Sequence, residues 1–403
     1  MSALAPKDLA EILAPTCSEA FLHSTFGRTY LLVPGETGKF TGLLPWDALN
    51  RILRQHRLES PRLRLFLEGK QVPVDSYQSF VRSERRRGVQ TPRVRGRDFL
   101  GKLREGATLI LDAVDELYEP LTSLVESLER TFSERIQVNA YAGWFTSPGF
   151  DLHWDDHDVI ILQLHGRKRW LVYGSTRPYP LARDVVRNTE RPEAPLWEGE
   201  LTDGDLLYIP RGWWHAAVPL AEPTLHLTVG IHNRTGIDLL GWLQEQLRAS
   251  ELFRQDLPRF ALPEAKAEHA EKLRQELLTR WNDNVIDDYF KERDAMAQPR
   301  NHPGLPWTVL SEALPPGDGF SLQFAPPREV RLVDAPDGSS FSMKCLGREW
   351  RFAAEAKPIM ELLIGNRTIT FITLRDRTSA TLGREQVRRF VAELVKEGFV
   401  VLV

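Results

Sequence analysis

Cysteine is nearly absent from this chain. Of 403 residues only Cys17 and Cys345 carry a thiol. Two cysteines so far apart are not a disulfide framework, and no Cys-x-x-Cys pair is available to hold zinc. A reducing, cytoplasmic setting fits that usage, and histidine, aspartate and glutamate are left as the candidate metal ligands. Long apolar runs are missing too. No stretch approaches the roughly 18 uninterrupted apolar residues of a membrane span. The segment from Met1 to Leu13, with Lys7, Asp8 and Glu11, lacks the basic start and apolar run of a signal peptide. A large charge of one sign is also lacking. The formal net charge of -3 argues against a surface built wholly for nucleic acid, so any such contact must come from a local patch.

What is present is the composition of a globular domain protein, with 42% hydrophobic and 27% charged residues. A core of ordinary size needs neither metal nor disulfide to form, and the length implies two or three domains. Apolar spacing predicts short helices over Asp8 to Leu13 and Pro45 to Gln55 and strands at Tyr30–Val33 and Arg62 to Glu68. Arg82 to Arg97 holds seven arginines and one glutamate. It reads either as a solvated loop or as a positive lip for an acidic or RNA-bearing partner.

From Ala107 the pattern changes. A strand at Thr108–Leu111 and an amphipathic helix at Pro120 to Phe132 are followed by short strands at Ile136–Tyr141, Val159–Leu164, Arg169–Tyr173, Leu206–Ile209 and Thr224–Gly230. Gly, Pro and Asp separate them, as in a sandwich or barrel. Helices are expected at Leu239 to Leu247, Ala265 to Leu278 and Val285 to Arg293, and the Pro- and Gly-rich segment from Pro299 to Pro327 reads as a linker. The tail, with helices near Ala356–Ile364 and Arg384–Glu397 and a strand at Phe399–Val403, has the winged-helix pattern. The expected domains are therefore 1–233, 234–298, a linker at 299–327, and 328–403.

The chemistry-bearing stretch runs from Asn139 to His232. It contains Asp151-Leu152-His153-Trp154-Asp155-Asp156-His157 and, sixty residues after Asp155, Gly212-Trp213-Trp214-His215. In an extended segment residues i and i+2 share a face, so His153 and Asp155 point the same way. A histidine from another strand completes a two-histidine, one-carboxylate face. That set leaves adjacent coordination positions open, as in non-haem iron(II) oxygenases. His-x-Asp alone is a weak signal. The turn Pro210-Arg211-Gly212-Trp213-Trp214-His215 and the run Arg167-Lys168-Arg169 strengthen it. Alternation sets Lys168 opposite Arg167 and Arg169, so at most one side points inward. A lysine inside an apolar barrel requires an anionic partner, and the distal carboxylate of 2-oxoglutarate would be one.

Asn139-x-Tyr141, His153-x-Asp155-x-His157-Asp158-Val159, Gln163-x-x-Gly166-x-Lys168-x-Trp170 and Pro210-x-Gly212-x-x-His215 together resemble the JmjC-type ribosomal oxygenases, with a bacterial member the best fit. The resemblance covers nearly the whole chain. It implies a mainly β catalytic domain, the double-stranded β-helix of the cupins, followed by a helical dimerisation segment and a C-terminal α+β winged helix. It further implies Fe(II) held by His153, Asp155 and His215, and Lys168 on the 5-carboxylate of 2-oxoglutarate with Asn139 beside the cosubstrate. Some bacterial members have an arginine where this chain has Lys168.

Tyr141 is expected to line the pocket or to pack in the core. His226 and Thr228 on a late strand are candidates to stand behind the metal ligands, and Trp213 and Trp214 either wall the substrate or pack the turn. The resemblance implies a dioxygenase that consumes O2 and hydroxylates a histidyl or arginyl side chain of a ribosomal protein. Other proteins or peptide natural products are alternative substrates. A metal-binding cupin without oxygenase activity and an interaction protein are alternatives of another class. Between Phe341 and Val403 there are eleven Lys/Arg against seven Asp/Glu, a mild excess that makes nucleic-acid contact by Arg384–Glu397 a lesser expectation than packing or partner binding.

Overall fold

In the computed structural model the described residues are 5–82, 90–145, 149–181, 188–310, 314–366, 368–379 and 381–403. The chain divides into two compact units, Met1–Asn233 and Arg234–Val403. Among the described residues no helix is long and apolar enough to cross a membrane.

The first unit contains strands β1 (Leu31–Val33), β2 (Leu63–Leu67), β3 (Lys70–Gln71), β4 (Gln78–Arg82), β5 (Gln90–Val94), β6 (Thr108–Leu111), β7 (Ile136–Gly143), β8 (Asp158–His165), β9 (Lys168–Val172), β10 (Trp197–Leu201), β11 (Leu206–Ile209), β12 (His215–Pro219) and β13 (Thr224–Ile231). An eight-stranded sheet has the order β1-β11-β8-β13-β7-β6-β2-β3, and a three-stranded sheet has the order β10-β9-β12. β4 and β5 pair with each other, and residues 83–89 of the arginine-rich segment between them lie outside the described residues.

Alternation along β8 shows how the sheets stack. Val159 and Ile161 join Trp170, Val172, Leu201, Leu207 and Ile209 in the cluster shared with the small sheet. Ile160, Leu162 and Leu164 point the other way, into the larger core with Leu121, Leu124, Val125 and Leu128 of the helix Glu119–Phe132. With both faces covered, β8 is almost continuously apolar, and its period-two pattern disappears from the sequence. β10 and β12 escape the sequence reading for other reasons. Trp-Glu-Gly-Glu-Leu carries a glycine and two glutamates, and His-Ala-Ala-Val-Pro holds little β-forming chemistry. Both strands exist because β9 pairs with them, Trp170 lying opposite Gly199 on one side and Ala217 on the other.

The second unit begins with helices Gly236–Leu247, Glu251–Arg254, Pro263–Arg280 and Val285–Met296. The first is capped by a reciprocal pair, Thr235 with Asp238. Strands β14 (Ser321–Phe324), β15 (Val333–Asp334), β16 (Ser340–Cys345), β17 (Arg348–Ala353), β18 (Ile369–Thr370) and β19 (Val400–Leu402) alternate with helices Lys357–Gly365, Phe371–Thr378 and Arg384–Lys396. Here the linker expectation needs correction at its end. Residues 321–324 form β14, the middle strand between β18 and β19. That pairing joins segments about fifty and eighty residues downstream, a range that no local reading of Pro and Gly reaches. Leu322 is fully buried there, in a core with Ile359, Phe371, Val391 and Phe399.

Candidate metal centre

His153 and His215 face each other across an antiparallel bridge. The amide of His153 donates to the carbonyl of His215 at 3.1 Å, and the reverse bond is 2.7 Å. Residues directly opposite on paired backbones put their side chains on one face, so the two rings lie 4.4 Å apart between centroids. Asp155, two residues along, shares that face, and its Oδ2 is 3.5 Å from His215 Nε2. One ligand atom from each of the three residues lies within 4.8 Å of the others.

The turn before β12 delivers His215. The Gly212 amide donates to the carbonyl of Asp155 at 2.9 Å. Gly212 has φ +79°, and a Cβ there would sit 2.5 Å from Pro180 Cδ. Only glycine meets both demands without displacing the turn.

Each histidine has its tautomer set by its own chain. His153 Nδ1 lies 2.8 Å from the carbonyl of Asp151, and His215 Nδ1 lies 3.1 Å from that of Trp213. A carbonyl only accepts, so each Nδ1 carries the proton and each Nε2 offers its lone pair to the centre. Burial, and next to it the neighbouring His153, brings the His215 imidazole down to about 4. It is therefore neutral, and able to ligate, at neutral pH.

The triad opens into a cavity of about 340 Å³ whose wall follows the alternation of five strands. Asn139 and Tyr141 come from β7, Val159 and Ile161 from β8, Lys168 and Trp170 from β9, His215 and Ala217 from β12, and His226, Thr228 and Gly230 from β13. Lys168 is the buried member of its run, with Arg167 and Arg169 exposed. Arg167 binds Glu222 and Glu200, and Arg169 binds Glu198. Among the described residues no carboxylate pairs with Lys168. Burial alone pulls its ammonium down to about 7. Beside it, His226 is stacked on Tyr141, with centroids 4.9 Å apart and planes 2° apart. Burial pushes the Tyr141 phenol up and the His226 imidazole down. Apart from the triad's Asp155, the charged groups of the wall are thus Lys168 and Arg64, set among polar and apolar side chains. Asn139 is held by accepting from the Ala113 amide at 3.0 Å and from Gln137 Nε2 at 2.9 Å.

Residues 116–239 match the JmjC domain family. Outside that segment the chain is placed only by what it is similar to. Among proteins related to it, ribosomal oxygenase 1 of Gallus gallus is 30% identical over 259 residues, covering 61% of this chain and 41% of that protein. A bifunctional lysine-specific demethylase and histidyl-hydroxylase NO66 of Dictyostelium discoideum is 29% identical over 291 residues, 69% of this chain and 54% of that one. The chain spans 23% to 54% of the length of relatives bearing the NO66 name in two Drosophila species and Dictyostelium. In fold, the Escherichia coli ribosomal oxygenase YcfD superposes with a TM-score of 0.56 at 18% identity, covering 96% of this chain and 98% of that one. A YcfD structure in complex with cobalt and 2-oxoglutarate gives a TM-score of 0.54, also at 18% identity and with the same coverage.

Of the two expectations for Trp213 and Trp214, the structure shows packing rather than a substrate wall. Trp214 does not line the cavity. It is buried on the opposite side of the strand from His215, and its indole donates to Thr176 Oγ1 at 2.9 Å. Trp213 packs with Tyr30 in the cluster between the sheets. Conversely, Arg64, Phe150 and Gln137 line the cavity without having been singled out. Arg64 had a signal in the alternation with Leu63, Leu65 and Leu67. The period shows that it faces away from the leucines, but not that a cavity lies there.

Proposed function

We propose that the chain is an Fe(II)- and 2-oxoglutarate-dependent oxygenase that hydroxylates a C–H bond of a histidyl or arginyl side chain in a ribosomal protein. One observation carries this reading: a two-histidine, one-carboxylate face shares one cavity with a buried lysine that has no carboxylate partner among the described residues. A set of two imidazoles and a carboxylate suits iron(II), and a buried ammonium suits the far carboxylate of a 2-oxo acid. His153, Asp155 and His215 would hold the metal, while Lys168, with Asn139 nearby, would orient the cosubstrate. Iron bound there supplies the oxidative decarboxylation of 2-oxoglutarate by O2 and the coupled hydroxylation. The chain's own contribution is local. It would turn Nε2 of both imidazoles inward and hold the Lys168 cation at the cosubstrate's far end. The relatives' names, which include histidyl-hydroxylase and ribosomal oxygenase, support the substrate class.

The test is succinate formation from 2-oxoglutarate under air with added iron(II), followed by mass spectrometry of ribosomal proteins incubated with the enzyme. Expected are succinate above the metal-free control and the gain of one oxygen atom on a single ribosomal protein. Absence of turnover, together with no 2-oxoglutarate binding to the metal-loaded protein, would favour a cupin without oxygenase activity. Turnover with an oxygen gained only by another protein or peptide would move the substrate class.

We also propose that the helices from 236 to 296 form a homodimer surface and that residues 328–403 form a winged helix serving in packing or partner contact. Supporting the first, the helix Pro263–Arg280 buries none of its residues, and Ile237, Leu240, Phe260, Leu262, Leu278 and Ile286 are exposed. Such apolar exposure is costly unless a partner covers it. Light scattering should give twice the chain mass, and a monomer at micromolar concentration would remove the proposal.

A further inference from the structure

Immediately beside the metal triad stands a second group of ligating side chains. Asp156, His157 and His232 also place one ligand atom each within 4.8 Å of the others. Strand pairing brings them together. Ile231 lies opposite Asp158, so the next antiparallel pair along is His232 opposite His157. Their rings are 4.4 Å apart between centroids. Both line the rim of the cavity that holds the triad.

Gly230 admits the His157 ring. A Cβ at that position would lie 3.0 Å from both Cδ2 and Nε2 of His157, so any larger residue would press the ring out of place. Asp156 Oδ1 and His157 Nδ1 stand 2.9 Å apart. This is a hydrogen bond in the metal-free protein. That separation is close to the roughly 3.0 Å between neighbouring ligands of an octahedral ion with bonds of about 2.1 Å, and a slight opening reaches the roughly 3.4 Å of a tetrahedral one. His232 follows the last residue of β13 and is exposed at the cavity mouth, which leaves that side of the group open to solvent.

We propose that Asp156, His157 and His232 form a second site for a divalent transition ion of the zinc class, at the mouth of the cavity and separate from the His153, Asp155 and His215 centre. Two imidazoles and one carboxylate are borderline ligands suited to zinc, cobalt or nickel, and the ion's remaining positions face water. Entry of the ion replaces the Asp156–His157 hydrogen bond by two metal–ligand bonds, the imidazole proton moving to Nε2. The proposal does not depend on the oxygenase reading, because it concerns binding alone.

Cobalt(II) is the probe. Equilibrium dialysis of the full chain at saturating cobalt, with metal counted by mass spectrometry and the ligand field read by visible absorption, should give two ions per chain. Asp155→Ala should keep one ion. His232→Gln, an exposed position where folding is retained, should also keep one, with a different absorption spectrum from that of Asp155→Ala. The combined Asp155→Ala and His232→Gln variant should keep none. A single ion on the intact chain would overturn the proposal. So would two ions retained by both His232→Gln and Asp156→Asn, because the second ion would then sit elsewhere. Activity measurements are not needed, so failure here would leave the oxygenase reading untouched.

Discussion

Asp155→Ala should abolish succinate formation, lowering turnover by roughly three orders of magnitude or more. A metal that polarises its substrate contributes several kcal/mol to the barrier, and each ~1.4 kcal/mol is a factor of ten in rate. The carboxylate is the only anionic member of the triad, so its loss leaves two neutral imidazoles for a dication. Iron content after dialysis should fall in parallel with turnover. The folded state should survive, because the Asp155 side chain is partly exposed and lies 3.5 Å from His215 Nε2. A melting curve equal to or above that of the intact chain would show this. Full activity and undiminished iron in the variant would exclude the triad as the working centre.

Lys168→Met should separate stability from binding. The Lys168 ammonium is brought down to about 7 by burial, against an ordinary value near 10.5 in the unfolded chain. Between those values the unfolded state holds a proton that the folded state does not. Stability without cosubstrate should therefore rise as pH climbs from about 7 to about 10.5. Below pH 7 the penalty for burying the charge is complete and constant. The methionine variant should accordingly melt higher than the intact protein, most clearly at or below pH 7, with the gap closing toward pH 10. The difference should be on the order of a few kcal/mol at most.

Binding should change in the opposite sense. Removing one partner of a buried charge pair costs about 2–5 kcal/mol, so 2-oxoglutarate affinity should drop on the order of 10²-fold. Calorimetry in buffers of different ionisation enthalpy should also show the intact protein taking up a proton near pH 8 as the carboxylate restores the ammonium, and the variant taking up none. Unchanged affinity in Lys168→Met would mean that the cosubstrate's far end is held elsewhere.

Both tests concern residues whose chemistry was legible before the fold. Period-two geometry alone sets His153 and Asp155 on one side and Lys168 opposite two arginines, because neighbouring side chains in any strand must alternate. The apolar spacing of Glu119–Phe132 was enough to place that helix to within a residue, since its stripe and its period are properties of a short window. The choice of inward face was not contained in that window. Arg64 and Lys168 sit on similar alternating strands and both line the cavity, but only the packing of the two sheets buries the Lys168 side.

The same limit explains the elements that were missed. β12 carries alanines and a proline and becomes a strand because β9 is there to pair with it. β14 hides in a Pro- and Gly-rich segment until β18 and β19 flank it. Trp214 and His215 are adjacent in sequence, and pairing of His215 with His153 sends them to opposite sides of the sheet. The sequence by itself offered His153, Asp155 and His215 as a candidate donor set and showed the alternation of the strands with one covered face. Tertiary structure decided which alternation faced the cavity, which distant histidines met, and that His157 should meet His232 beside them. The physical reason is range. Side-chain direction follows from the local backbone, whereas register depends on pairing energies between segments tens of residues apart.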